Sequence, residues 1–221
     1  MIKIFQKTYK VSPDVIKVLL FCGILSSFLY VATDIIASML FVGYRYSSQS
    51  ISELSAIGAP TRPLWIAMLF LYDPLLIAFG IGVWLSAGTK RSLRFTGILL
   101  AVWGLLGFIW MFFPMHLRGA IGSTTDTMHL VLAGATVALI LSFIGLGAVA
   151  FNRWFRRYSI FTILMLIIFG GLTAQQVPLV AAQQPTPWLG IMERVNVYGA
   201  MLWVLVLAVI LLRAGKRSKD S

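Results

Sequence analysis

Only seven acidic residues and two histidines occur in this sequence of 221 residues, so the side chains able to perform acid–base or metal chemistry are few. Carboxylate and imidazole groups are the usual general acids and bases of enzymes, and they also bind metal ions. We predict that five of them converge in one site as catalytic candidates, namely Asp126, His129, Asp73, Asp34 and Glu193.

Asp34 and Asp73 lie inside long apolar runs, each about nine residues from the end of its run, or roughly 13 Å deep in a helix. A charged Asp near the centre of a bilayer costs roughly 2.5–3.5 kcal/mol on insertion scales, so both are expected to face the interior of a bundle. Two interpretations remain open, a structural ion pair or hydrogen bond and a functional interior site. Pro74 releases the carbonyl of Phe70 and favours a kink beside Asp73.

Asp126 and His129 have the i, i+3 spacing that places two side chains on one helix face. Asp126 also suits the first turn of a helix capped by Thr124 or Thr125, which would explain it without any chemistry. With His116, these residues offer the nitrogen and oxygen ligands that Zn²⁺ accepts. We therefore consider a metal site formed by His116, His129 and Asp126, although the spacing of the two histidines matches no known signature.

Binding roles are predicted for four further polar residues, Arg194, Arg118, Glu53 and Ser50. Arg194 could pair with an intramembrane Asp or hold an anionic head group. The segment "SISE" reads as a capping box, in which Ser50 caps a short helix and Glu53 reaches back to it. We predict an interfacial helix over 50–58, with Glu53 either as a simple cap or as a lid residue over the site.

The elements that carry these residues are six apolar runs, at about 17–42, 64–86, 95–113, 127–149, 159–181 and 190–212. Each is long enough to cross a bilayer as a helix, and the mean hydropathy of +0.91 lies far above that of soluble domains. We predict one all-α unit over 1–221, a polytopic bundle of six transmembrane helices.

The basic residues are distributed unevenly around these runs. All but four of the 18 lysines and arginines precede the first run, follow the last, or lie in the links 87–94 and 150–158. The remaining four are Arg45, Arg62, Arg118 and Arg194. By the positive-inside rule, both termini are cytoplasmic and the protein lies in the cell membrane. The net charge of +11 therefore reflects topology and contact with membrane lipids, and we expect no nucleic-acid partner.

Four segments together resemble the domain of unknown function 998 family of bacterial and archaeal membrane proteins. They are "ISELSAIGAPTRPLW", "FFPMHLRG", "TDTMHLVLAG" and "GIMERVNVYGAMLW", and the resemblance covers about residues 17–212. It implies six membrane helices and supplies no established activity.

Three functions fit these observations. The first is a membrane enzyme with an outward-facing site, acting on or binding a lipid or lipid-linked group by acid–base or metal-assisted chemistry, with zinc as the metal. The second is a small carrier or proton-coupled transporter that uses Asp34 and Asp73. The third is a non-catalytic sensor or assembly factor. A homo-oligomer is compatible with each of them.

Overall fold

The structure is a computed structural model that describes residues 11–118 and 123–217. Its helices are α1 (Pro13–Leu40), α2 (Arg62–Ser86), α3 (Arg91–Trp110), α4 (Thr124–Ala150), α5 (Arg153–Ala181) and α6 (Leu189–Arg217). A short 3-10 helix, η1 (Ile51–Ser55), lies between α1 and α2. Within the described residues, six helices are long and apolar enough to cross a membrane, which confirms the predicted all-α bundle of six transmembrane helices.

Several helices begin before the apolar run that predicts them, because their first turns are capped by polar residues. Asn152 caps α5 by accepting a hydrogen bond from the backbone N of Phe155 at 3.0 Å, so the helix begins six residues before the run. The predicted cap of α4 was wrong. Ser123, and neither Thr124 nor Thr125, accepts from the backbone N of Asp126, because the helix begins one residue earlier than expected.

The six helices form a closed ring. Each packs against its neighbours in chain order, and α6 returns to pack against α1. The η1 helix covers one end of this ring, where it contacts α1, α2 and α6. We call this end the η1 end. At the opposite end, Lys90 donates to the carbonyl of Ala150 at 2.9 Å and so joins two links. We call this opposite end the basic end.

A chain of aromatic rings runs through the middle of the bundle and connects its helices. Tyr72 of α2 packs against Trp103 of α3, with ring centres 6.4 Å apart, and Trp103 packs against Phe143 of α4 at 5.4 Å. Trp203 of α6 then contacts both Phe143 at 5.5 Å and Phe155 of α5 at 5.6 Å. Rigid rings in T-shaped or tilted contact fix the distances between helices that lipid alone would not hold together.

Glycines at their contact allow α2 and α3 to approach more closely than residues with side chains would. A Cβ added at Gly80 would meet the backbone N of Ala101 at 2.5 Å, and one added at Gly97 would meet the carbonyl O of Gly80 at 2.6 Å. Small residues are the usual basis of tight helix contacts in membranes. The same contact continues towards the η1 end, where it brings Asp73 of α2 against α3.

Candidate functional site

The deepest ion pair of the structure joins α6 to α1. Arg194 donates from Nε to Asp34 at 2.8 Å and from a terminal nitrogen to the second carboxylate oxygen at 2.9 Å. Tyr198, one helical turn further along α6, donates a very short hydrogen bond to the same carboxylate. Arginine forms such two-point pairs readily because its guanidinium is planar and carries five N–H groups. Of the two alternatives that the sequence leaves open for Arg194, the pair with an intramembrane Asp is the one observed.

The remaining N–H groups of Arg194 hold the segment that follows α1. They donate to the carbonyl O of Tyr46 at 2.7 Å, to the carbonyl O of Gly190 at 3.1 Å and to the hydroxyl of Tyr44 at 2.9 Å. The guanidinium also lies 3.5 Å from the centre of the Tyr46 ring. With these bonds every N–H of the side chain has an acceptor, which leaves none for a lipid head group.

Tyr44 connects this arginine to η1. Its hydroxyl accepts from Arg194 and donates towards the carbonyl O atoms of Gln49 and Ser50, at 3.0 and 2.7 Å. Burial raises the pKa of Tyr44 well above its usual range, and the hydrogen bond from Arg194 only partly opposes this. The hydroxyl therefore stays protonated and remains a donor.

Glu193, next to Arg194, holds the start of η1. Its carboxylate accepts from the backbone N of Ile51 at 2.5 Å and from the hydroxyl of Ser52 at 3.2 Å. The first N–H groups of a helix have no partner within the helix, so an acceptor supplied by α6 satisfies one of them. Glu193 and Arg194 together fix η1 and the segment before it over the end of α6.

Glu53 forms the predicted capping box and is fully buried. It accepts from the backbone N of Ser50 at 2.7 Å, while its own backbone N donates to the Ser50 hydroxyl at 3.2 Å. Arg118 donates to both oxygens of the Glu53 carboxylate, at 2.7 and 3.2 Å, and to the carbonyl O of Ser48 at 2.7 Å. The link after α3 is thereby tied to η1 by a buried, two-point ion pair. The short helix is confirmed, and it is a 3-10 helix of five residues.

His116 and Asp126 lie together where the chain enters α4. Asp126 accepts from the backbone N of His116 at 2.8 Å, and its other oxygen lies 3.0 Å from Nδ1 of the His116 ring. Ser123 donates a very short hydrogen bond to that oxygen and lies 3.3 Å from the same ring nitrogen. A carboxylate beside Nδ1 favours the tautomer that carries its proton on Nδ1, and the side chain of His116 is 30% exposed.

His129 takes a different position, although it shares a helix face with Asp126. Its side chain is buried, its Nδ1 lies 3.1 Å from the carbonyl O of Phe113, and its ring packs edge-on against Trp110 at 4.7 Å. Within the described part of the chain, no three His, Cys, Asp or Glu side chains lie close enough together to bind one metal ion. The described residues thus offer no preformed ligand set for the metal considered for His116, His129 and Asp126.

Asp73 is a buried acid without a hydrogen-bond partner among the described residues. Its side chain is fully buried, and neither carboxylate oxygen has a hydrogen-bond partner among the described residues. Gly107 of α3 lies directly opposite, and a Cβ added there would meet Oδ1 of Asp73 at 2.0 Å. The space for this carboxyl group therefore exists only because residue 107 has no side chain.

The whole of this site lies inside a region shared with other proteins. The profile of the family described as "Protein of unknown function (DUF998)" matches residues 24–210. The chain belongs to the DUF998 family. No curated protein and no solved structure matches the chain. The resemblance noted in the sequence is thus confirmed, and the family description supplies no activity.

Direct hydrogen bonds between side chains sort the charged candidate residues of this DUF998 protein into pairs. Asp34 belongs with Arg194, Glu53 with Arg118, and Asp126 with His116, whereas Asp73 and His129 bond to none of these. Glu193 reaches η1 rather than another acid. The convergence of the five catalytic candidates in a single pocket stays a prediction.

Two residues that shape the site were given no role in it by sequence reasoning, which explained Gly107 by close helix packing alone. Tyr44 offers no signal beyond its place at the end of an apolar run. Gly107 does have a signal in the sequence, because α2 and α3 are joined by a short link. Counting outward from that link along both helices brings Asp73 level with residues 104–107 of α3. A glycine opposite an acid in such a hairpin is therefore detectable from the sequence.

Proposed function

We propose that this DUF998 protein is a small carrier of the cell membrane, in which Asp73 binds the transported proton or small cation. Both termini lie in the cytoplasm, so that the η1 end faces outwards. The observation that carries this proposal is the Asp73 carboxyl, which is fully buried and has no hydrogen-bond partner among the described residues. Membrane lipids surround the bundle, a homo-oligomer is compatible with the proposal, and no nucleic acid is involved.

The energetic reason is that an isolated carboxylate in a membrane interior is unstable. Its insertion costs roughly 2.5–3.5 kcal/mol or more, and the cost is removed when a proton or a cation neutralises the charge. Asp34 and Glu53 have arginine partners that neutralise them permanently. Asp73 has none among the described residues, and a bound proton or small cation would compensate its charge.

Gly107 supports the same interpretation. A structural acid would be expected to lie opposite a donor, such as the arginines that face the other buried acids. The residue opposite Asp73 is instead a glycine, which offers space and no donor side chain. Close packing of α2 against α3 would also be possible with the smaller Ala at position 73. A carboxyl group retained at a close helix contact without a donor is typical of a proton- or ion-binding residue.

Proteoliposomes test the proposal directly. The purified full-length protein is reconstituted with a pH-sensitive dye inside the vesicles, and a potassium diffusion potential is imposed with valinomycin. We expect proton entry with the wild-type protein. With Asp73→Asn, the rate of proton entry should equal that of protein-free vesicles. Asp14→Asn removes an exposed acid that pairs with Lys17 and serves as the matched control with wild-type flux.

The assay is repeated with external sodium or methylammonium, because the proposal includes a small cation as the ligand. The proposal fails if Asp73→Asn carries the same flux as the wild-type protein. It also fails if the wild-type protein adds no flux to protein-free vesicles for the proton or for either cation.

A second candidate function rests on the pair of His116 and Asp126. We infer that this pair could act on a lipid or lipid-linked group at the outer surface, with His116 Nε2 as the general base and Asp126 as the residue that orients the ring. Support comes from the two hydrogen-bond contacts of Asp126 to His116 and from the partial exposure of the imidazole. A carboxylate that fixes Nδ1 is the usual partner of a catalytic histidine.

Product analysis distinguishes this candidate from the carrier. The protein is incubated with vesicles of phosphatidylglycerol or of phosphatidylethanolamine, and released fatty acid or head group is measured by mass spectrometry. We expect His116→Gln to abolish release, whereas Arg45→Gln, at an exposed residue of the same end, leaves it unchanged. Absence of release from both lipids by the wild-type protein would count against this candidate and would leave the carrier proposal untouched.

A further inference from the structure

A groove of about 360 Å³ lies at the basic end of the bundle, outside the region used by either candidate function. It is formed where α2 ends and α3 begins, and it is lined by Trp84, Arg91, Arg94, Phe95 and Ile98. Two cationic side chains and three large apolar ones thus share one concave surface. This combination matches neither a purely ionic site nor a simple packing defect.

The order of these residues along α3 separates charge from apolar surface. Arg91, Arg94 and Ile98 follow one another at spacings of three and four, so they lie along one face of the helix. The arginines are at its first turn, and Ile98 lies about 10 Å further towards the middle of the bundle, at 1.5 Å per residue. The groove is therefore cationic at the rim and apolar towards the membrane interior.

The apolar wall faces outwards rather than into the core. Trp84 is 47% exposed and Phe95 is 54% exposed, in contrast to the buried aromatic rings in the middle of the bundle. Trp84 is held in place because its backbone lies against Gly97, where an added Cβ would meet the Trp84 N at 2.6 Å. This contact fixes the backbone that carries the indole beside the groove, at the level where aromatic residues favour the membrane boundary.

The arginines of the groove are free to bind an anion. Arg94 uses one terminal nitrogen to bond the carbonyl O of Gly88 at 2.5 Å, which orients the guanidinium and leaves its other N–H groups available. No carboxylate competes for either side chain within the described residues. Asp14, in the first turn of α1, pairs with Lys17 at 3.1 Å. This contrasts with Arg194 and Arg118, whose N–H groups are occupied by acids and carbonyls.

We propose that this groove binds one anionic phospholipid. The phosphate group accepts hydrogen bonds from Arg91 and Arg94 at the rim, and an acyl chain lies along Trp84, Phe95 and Ile98. Guanidinium groups bind phosphate through paired, charge-assisted hydrogen bonds. Basic pockets between membrane helices on the cytoplasmic side are known lipid head-group sites. This inference does not depend on the carrier or on the acid–base candidate.

Native mass spectrometry of the purified, delipidated protein tests the proposal with phosphatidylglycerol as the probe. We expect the wild-type protein to retain one phosphatidylglycerol molecule, with phosphatidylcholine bound at least roughly tenfold more weakly. The double variant Arg91→Gln/Arg94→Gln should lose affinity for phosphatidylglycerol by roughly tenfold or more. The control is Arg156→Gln/Arg157→Gln, which removes the same charge from exposed positions at the same end and should bind like the wild-type protein.

Fluorescence locates the acyl chain without changing the arginines. Phosphatidylglycerol with brominated acyl chains should quench the fluorescence of the wild-type protein more than that of Trp84→Phe, and the difference should vanish with brominated phosphatidylcholine at equal concentration. This measurement keeps the proposal falsifiable if the arginine variant fails to fold.

Several outcomes overturn the inference. Equal losses of phosphatidylglycerol in both double variants would show a general effect of charge rather than a site. Equal retention of both lipids would show that the phosphate charge is not recognised. Displacement of phosphatidylglycerol by millimolar inorganic phosphate would identify the groove as a site for a free anion and not for a lipid.

Discussion

Arg194 of α6 and Asp34 of α1 form a two-point ion pair in which neither side chain is more than 4% exposed. The two helices close the ring of six, and this pair joins them by charge-assisted hydrogen bonds. The same helix contact contains a second bond, from the hydroxyl of Ser27 to the carbonyl O of Met201 at 3.0 Å. The polar groups of α1 and α6 thus fix how the ring closes.

Replacing Asp34 by Asn is expected to destabilise the protein strongly. The change leaves the buried guanidinium of Arg194 without its counter-charge, and breaking one partner of a buried pair costs roughly 3–5 kcal/mol. The free energy of unfolding in mixed detergent micelles measures the effect. Asp14→Asn, which removes an acid with a 77% exposed side chain, is the control and should change little. Equal stability of the two variants would show that the pair contributes nothing to the fold.

Gly107→Ala is expected to disturb the Asp73 region, because the added Cβ would meet Oδ1 of Asp73 at 2.0 Å. Overpacking of this kind costs roughly 1–3 kcal/mol. Gly134→Ala is the matched control, since an added Cβ there meets no atom within 4 Å. The double variant Asp73→Ala/Gly107→Ala should recover much of the lost stability, because the carboxyl group that causes the clash is gone. A double variant less stable than Gly107→Ala would contradict the proposed contact.

Arg118→Gln is expected to loosen η1 and the segment before it. The change leaves the buried carboxylate of Glu53 with fewer donors, and an unsatisfied buried group costs roughly 1–3 kcal/mol. Backbone amides over 48–57 should then exchange with deuterium about tenfold faster or more, as a local opening. The exposed Arg45, in the same loop, gives the control Arg45→Gln. Exchange that is unchanged in Arg118→Gln would show that Arg118 does not hold η1.

The orientation in the membrane can be tested through the single cysteine. Cys22→Ala gives a protein without thiols, into which Ser47→Cys or Arg157→Cys introduces one exposed thiol at the η1 end or at the basic end. We expect a membrane-impermeant maleimide to label residue 47 in intact cells and residue 157 only after permeabilisation, because the positive-inside rule predicts that the basic links are cytoplasmic. The opposite pattern would reverse the predicted topology.

Local patterns in the sequence account for much of the fold. Each transmembrane helix follows from an apolar run, and η1 follows from the capping box of Ser50 and Glu53. These features depend on residues close together in the chain, so that a short window contains the information. The start of α5 was misjudged because its polar first turn, from Arg153, carries no apolar signal.

The partners of the acids could not be predicted, because they depend on which helices become neighbours. Asp34 and Arg194 are 160 positions apart and meet only when α6 packs on α1. His116 and Asp126 meet across a link whose path no periodicity describes. The sequence therefore predicts which polar residues matter and leaves open which of them are satisfied. The isolation of Asp73 is a property of the packed bundle and of no local segment.

The closure of the ring by Arg194 also has a consequence for the biogenesis of the protein. Asp34 enters the membrane with the first helix, and the ribosome must add 160 further residues before its counter-charge exists. During this interval the carboxylate of Asp34 has no counter-charge among the early helices. Its free-energy cost is then that of a charged Asp in an isolated membrane helix. Release from the insertion machinery is therefore expected to be less favourable before α6 has arrived than after it. A chain truncated before residue 194 should remain a substrate for membrane quality-control proteases.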